Sequence, residues 1–146
     1  MHKFMNWIND KITAFEEYIA RDPLFAKHVV DYWNDLIVNM QIDENILNEL
    51  TEIFILLNNR DEFLNLYRIA LSQRLLSNTN NLEIEKQSLA KLRLRSGTQY
   101  TFELDNMLLD ATESQEFTRE FNNNITVMMM SSVNWPPIIG IVSLVS

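Results

Sequence analysis

With 146 residues, 47% of them apolar, the chain is long enough to bury a core and too apolar to be disordered throughout. Two glycines and three prolines supply few tight turns, which excludes a hairpin-rich β fold and points to an all-α chain. With no cysteine there is no disulfide framework, thiol nucleophile or thiolate metal site, and a net charge of −8 argues against nucleic acid and anionic membrane as partners.

The start, MHKFMNWIND, lacks the uninterrupted apolar core of a signal peptide. Phe4, Ile8, Ile12, Phe15 and Ile19 recur at helical spacing, flanked by Trp7 and Ala14, and predict an amphipathic helix ending near Arg21. Asp22-Pro23 is a start signal for a second helix with Phe25, Val29, Trp33, Leu36, Ile37 and Met40 on its apolar face. Asp43 begins a third, with Ile46, Leu47, Leu50, Ile53, Phe54 and Leu57 as a broad stripe. Asn58-Asn59 breaks it, and Asp61 is the expected cap of a fourth helix facing inward through Phe63, Leu66, Tyr67, Ala70, Leu71 and Leu75.

A polar loop over Ser77–Asn81 precedes a helix over Glu83–Arg95, whose apolar positions are Ile84, Leu89 and Leu92. Its acids lead and its bases trail, the order that complements the helix dipole. Gly97 stands where a left-handed C-terminal cap is expected. Thr101 is the expected cap of a further helix burying Leu104, Met107, Leu108 and Ala111, and Ser114 the start of one more short turn presenting Phe117 and Phe121. Beyond the triple Asn at 122–124, Ile125–Met128 and Ile138–Ser146 are β-prone. The apolar stretch Ile125–Val145 is broken by Ser131, Ser132, Asn134, Pro136 and Pro137, so it is not expected to span a membrane.

No constellation for catalysis is present. His2 and His28 lie far apart and outside any metal-ligand spacing. Glu16/Glu17 and Glu83/Glu85 read as solvated helix faces, Ser131-Ser132 has no glycine elbow, and no phosphate-cradling glycine loop occurs. Arg74, beside the apolar face of its helix, is expected to lay its stem on the core and keep its head in water. The expectations are therefore no enzyme, no cofactor, no metal and no small-molecule substrate. Ile125, Val127 and Trp135 are the candidate partner-binding residues, since an open strand edge accepts a partner strand and a tryptophan anchors it; a packed Trp135 closing the domain end is the plainer reading.

The stretch from Arg60 carries Asp61, Phe63, Tyr67, Leu71, Arg74, Leu75 and Leu76 at the spacing of a run of the form DKDxFxxxYxxxLxxRLL. Glu85, Leu89, Lys91, Leu92, Arg93, Gly97, Tyr100, Thr101, Leu104, Met107 and Asp110 follow AExxxIxKLKxxCGxxFTxxLxxMxxD in register. Ser114, Phe117 and Phe121 continue the second run, and Asn134-Trp135-Pro136 closes a segment of the form SxxWP. These runs are those of the cullins, and the chain resembles that family best from Ile53 to Phe121. Upstream, Phe25, Trp33 and Asn39 resemble the end of its helical repeat stalk. Ser96 replaces the pattern's cysteine, only Met40–Asn45 stand where cullins usually have a further helix, and Ile138–Ser146 has no counterpart.

The resemblance implies a helical bundle of about six to seven helices and a truncated form of the family. Residues 1–42 would be the end of the repeat stalk, 43–124 the helical bundle of the cullin homology domain, and 125–146 a β-prone tail opening a truncated α/β domain. It also implies a noncatalytic scaffold of a ubiquitin ligase acting in ubiquitin-dependent protein catabolism, with a RING-box subunit or cullin regulators as partners and a cytoplasmic or nuclear location. From the residues alone, an unrelated helical interaction module stays open beside it, as does a regulatory or non-functional cullin-like chain.

Overall fold

The computed structural model describes residues 22–77, 80–120, 128, 130, 131 and 133–137. The helix expected over residues 4–21 and the two β-prone runs, Met128 aside, lie outside them. The described residues form five α-helices and no strand: α1 (Phe25–Val38), α2 (Glu44–Ile55), α3 (Arg60–Leu75), α4 (Leu82–Ser96) and α5 (Thr98–Glu120). The all-α class stands, with five helices among the described residues where six to seven are expected over the whole chain. Part of the difference is that Ser114 does not start a new turn. It is buried inside α5, its hydroxyl donating to the Asp110 carbonyl at 2.6 Å, so the helix runs on. The chain divides into two compact units, residues 1–67 and 68–146.

In the first unit, Asp43 caps α2 as expected, its carboxylate accepting from the Ile46 amide at 2.8 Å. The cap of α3 is Asn59 rather than Asp61. Its side-chain oxygen accepts from the Glu62 backbone amide at 3.2 Å, and its side-chain NH2 donates to the Glu62 carboxylate at 2.9 Å, so the side chain is held at both ends across one turn. Asp61, one position inside the helix, has already passed the place where a cap reaches back. Helix α1 ends in a Schellman turn: Met40 takes a positive φ of 54°, its amide donates to the Ile37 carbonyl and that of Gln41 to Leu36. Met40 has therefore left the helical period and is exposed instead of lying on the apolar face.

The core of this unit is aromatic. Trp33 of α1, Phe54 of α2, and Phe63 and Tyr67 of α3 are fully buried. Phe63 lies 4.9 Å from Phe54, 5.8 Å from Trp33 and 5.8 Å from Tyr67 between ring centroids, while Tyr67 meets Trp33 edge-on at 5.5 Å. Phe63 and Tyr67 stack while the other pairs are tilted or edge-on, arrangements that aromatic quadrupoles favour over a face-to-face sandwich. Leu47, Leu50 and Leu57 fill around them, and Arg60 lays its guanidinium over the Phe54 ring, 5.6 Å from its centroid.

In the second unit, Asn81 caps α4 by accepting from the Glu83 and Ile84 amides. Helices α4 and α5 pack along each other and are joined by Gly97 alone. They run antiparallel: Arg93 meets Asp105 at 3.1 Å near the turn, and Asn80 meets Gln115 at 3.1 Å far from it. Leu89 and Leu92 from α4 and Leu104, Met107, Leu108 and Ala111 from α5 are buried, as the helical spacing predicts. Thr101 does not cap α5. It is fully buried one turn into the helix and donates to the Asp105 carboxylate at 3.0 Å.

Gly97 has φ 93° and ψ 159°. The sign of φ is the one expected, but ψ carries the residue past the left-handed helical region into backbone that essentially only glycine adopts. A Cβ there would meet nothing within 4 Å, so the requirement is conformational and not one of space. Gly97→Ala is expected to destabilise the protein by about 1–3 kcal/mol, read as a lowered urea midpoint in far-UV circular dichroism. An unchanged midpoint would show that the turn relaxes to an ordinary conformation.

Candidate interaction site

Among the described residues, the histidine and the carboxylates form no catalytic grouping. His28 is exposed on α1, and His2 lies outside the described residues. Among the described residues no three acidic or histidine side chains form a group that could hold a metal ion, and no helix is long and apolar enough to cross a membrane. A cavity of about 280 Å³ opens between the start of α1 and the α2–α3 connection. Its walls include Asp22, Phe25, Leu57 and Glu62, with no nucleophile and no histidine. Asp22 is engaged with the Leu24 amide at 2.9 Å and Glu62 with Asn59, so both carboxylates close their own helix starts.

The strongest electrostatic feature is buried. Arg74, near the end of α3, meets Glu85, in the first turn of α4, through two parallel contacts: Nε to Oε2 at 2.7 Å and Nη2 to Oε1 at 3.0 Å. The side chains are 5% and 1% exposed. Both expectations for these residues are overturned. Arg74 does not keep its head in water, and Glu85 is not on a solvated face, although Glu83 two residues earlier is. The reason is geometric. Glu85 lies one turn before Ser88 and Leu89, which are buried, so its side chain points inward and needs a cation there. The fork geometry of a guanidinium matches a carboxylate in this bidentate way, which a lysine would not.

A second polar contact fixes the segment after α5. The Asp110 carboxylate oxygen Oδ2 accepts from the Trp135 indole N–H at 2.9 Å and from the Ser131 amide at 3.1 Å. Trp135 and Pro136 are buried, while Val133 and Pro137 remain exposed. Arg68 of α3 meets Glu103 of α5 at 2.6 Å and reaches the Asn134 carbonyl at 3.5 Å. Of the three candidate partner-binding residues, Ile125 and Val127 lie outside the described residues, and Trp135 is packed with its indole held by α5.

What the sequence reading passed over is the opposite side of α5. Phe102 and Leu109 are 62% and 53% exposed. At 3.6 residues per turn they fall opposite the buried stripe of Leu104, Met107, Leu108 and Ala111, so the period that located the core could also have located them. Attention to apolar positions as core candidates concealed them.

Comparison with known proteins places these features in a family. The model of the cullin alpha solenoid domain matches residues 2–118. The chain is 33% identical over 92 residues to Cullin-1 of Dictyostelium discoideum, covering 62% of this chain and 12% of that protein. It is 29% identical over 147 aligned positions to Cullin-1 of Schizosaccharomyces pombe, covering 85% of this chain and 19% of that one. Cullin-3A of Arabidopsis thaliana is 28% identical over 146 positions, covering 91% of this chain and 20% of its own length. The chain thus spans a fifth or less of the length of these relatives.

Proposed function

This chain belongs to the cullin family, and from that premise we propose that it is a noncatalytic scaffold piece of a cullin-RING ubiquitin ligase, acting in ubiquitin-dependent protein catabolism in the cytoplasm or nucleus. The observation that carries the reading is where the residues of the family pattern stand. Arg74 and Glu85 neutralise each other in the interior, Asp110 holds Trp135, and Phe63, Tyr67, Leu71, Leu89, Leu92, Leu104 and Met107 are buried. The pattern thus marks packing rather than a reactive site, as a scaffold requires.

The proposed action is mechanical. In the whole ligase, packed helices would hold a substrate-bearing end and a catalytic end at a set separation, so that ubiquitin transfer becomes effectively intramolecular. The partners proposed are a RING-box subunit or cullin regulators, with no small-molecule substrate and no cofactor. The test is affinity capture of the tagged full chain from its source cells, followed by identification of what co-purifies. Recovery of a RING-box subunit or a cullin regulator is the expected result. Capture of neither by a chain whose circular dichroism shows it folded would overturn the ligase role while leaving the fold intact.

A further inference from the structure

We propose that the solvent-facing side of α5 docks a cationic amphipathic helix of another protein. Phe102, Leu109, Glu113, Glu116 and Glu120 lie within about 60° of one another around the helix axis, at 3.6 residues per turn. The stripe they form is graded. Its first part presents the two exposed apolar side chains, spaced roughly 10 Å along the axis at about 1.5 Å per residue. Its second part presents carboxylates alone. All five residues are exposed.

The state of the carboxylates along α5 separates this stripe from the rest of the helix. Glu103 is paired with Arg68, Asp105 with Arg93, and Asp110 is bonded to Trp135 and the Ser131 amide. Glu113, Glu116 and Glu120 make no ion pair or hydrogen bond among the described residues. Arg119 is the one cation in α5, and it lies about a quarter turn from the middle of the stripe at the helical period. The helix therefore satisfies its acids as far as Asp110 and leaves the three that follow unneutralised, directly beyond two exposed apolar side chains.

Neither apolar residue belongs to the buried core. Phe102 and Leu109 stand at open positions of the pattern through which the chain resembles its family, and both point away from the buried stripe. The chemistry that satisfies the surface is two apolar side chains one heptad apart, followed on the same face by lysine or arginine. An amphipathic helix supplies that spacing directly. Phosphate-bearing polymers and anionic membranes are repelled by the same carboxylates, and a second copy of this chain brings a net charge of −8 to them.

The test uses the full chain and a synthetic helical peptide with two leucines seven positions apart and lysines continuing the same face, made in both sequence directions. Binding is followed by titration calorimetry and by amide chemical shifts. One lysine peptide is expected to bind, to weaken as salt is raised, and to shift resonances around Phe102, Leu109 and Glu113. The double variant Phe102→Ser/Leu109→Ser changes only exposed side chains, so its fold should persist while affinity falls about tenfold or more. Glu113→Gln/Glu116→Gln/Glu120→Gln should flatten the salt dependence. Three results would overturn the proposal: equal binding of a peptide with glutamates in place of lysines, unchanged affinity in the double serine variant, or concentration-dependent self-association of the chain that the serine variant abolishes, which would assign the stripe to a second copy.

Discussion

Glu85→Leu is expected to destabilise the protein by about 3–5 kcal/mol, because the Arg74 guanidinium stays in the interior and loses the carboxylate that neutralises it. Against a typical total stability of roughly 5–15 kcal/mol this is enough to leave a large unfolded fraction. The companion prediction separates the charge effect from packing. Arg74→Met should cost a similar amount, since it leaves Glu85 buried without its cation. The double variant Arg74→Met/Glu85→Leu should recover most of the loss, since apolar residues of similar volume commonly replace a buried ion pair at little cost. Urea titrations of the four proteins give the coupling directly. Additive losses in the double variant would show that the two residues act separately and that their contact contributes little.

The second large effect belongs to the aromatic core. Phe63→Ala is expected to cost about 3–5 kcal/mol, the range for removing a fully buried aromatic ring. Phe63 is the ring to choose because it touches Phe54, Trp33 and Tyr67 at once, and so joins α1, α2 and α3. Phe63→Leu keeps much of the volume and should lose distinctly less. The measurement is again a urea midpoint, with near-UV circular dichroism as a second readout. Equal costs for Ala and Leu would indicate that ring geometry, not filled volume, holds the cluster together.

Much of this fold is legible in the sequence because its helices follow a regular apolar period. Trp33, Phe54, Leu71, Leu89, Leu104 and Met107 all fall at the core positions that spacing predicts. The misplaced caps have one cause, which is that short polar side chains serve several local roles. Asn59, Asp61 and Thr101 are all competent caps, and whether each one caps depends on where the backbone turns, a shift of a few residues. Arg74 and Glu85 look like surface residues because charge usually is. Their burial follows from two helices meeting, and no single-helix pattern carries that information. Asp110 is similar: twenty-one residues separate it from Ser131 and twenty-five from Trp135, a contact that no local pattern carries. Phe102 and Leu109 were visible by the same period as the core, but on its outward side.

The single-residue connection at Gly97 has a consequence for chain entropy. Bringing two helices together across a loop costs chain entropy that grows with loop length, and here there is almost no loop to close. The contacts of α4 with α5 nearest the turn therefore link residues close in sequence, Arg93 and Asp105 being twelve apart, and the pairing lengthens away from it to the thirty-five between Asn80 and Gln115. The Arg74–Glu85 pair, eleven residues apart, is as local as the contact at the turn. The turn that fixes the geometry of the hairpin thus also lowers the chain entropy lost in closing it.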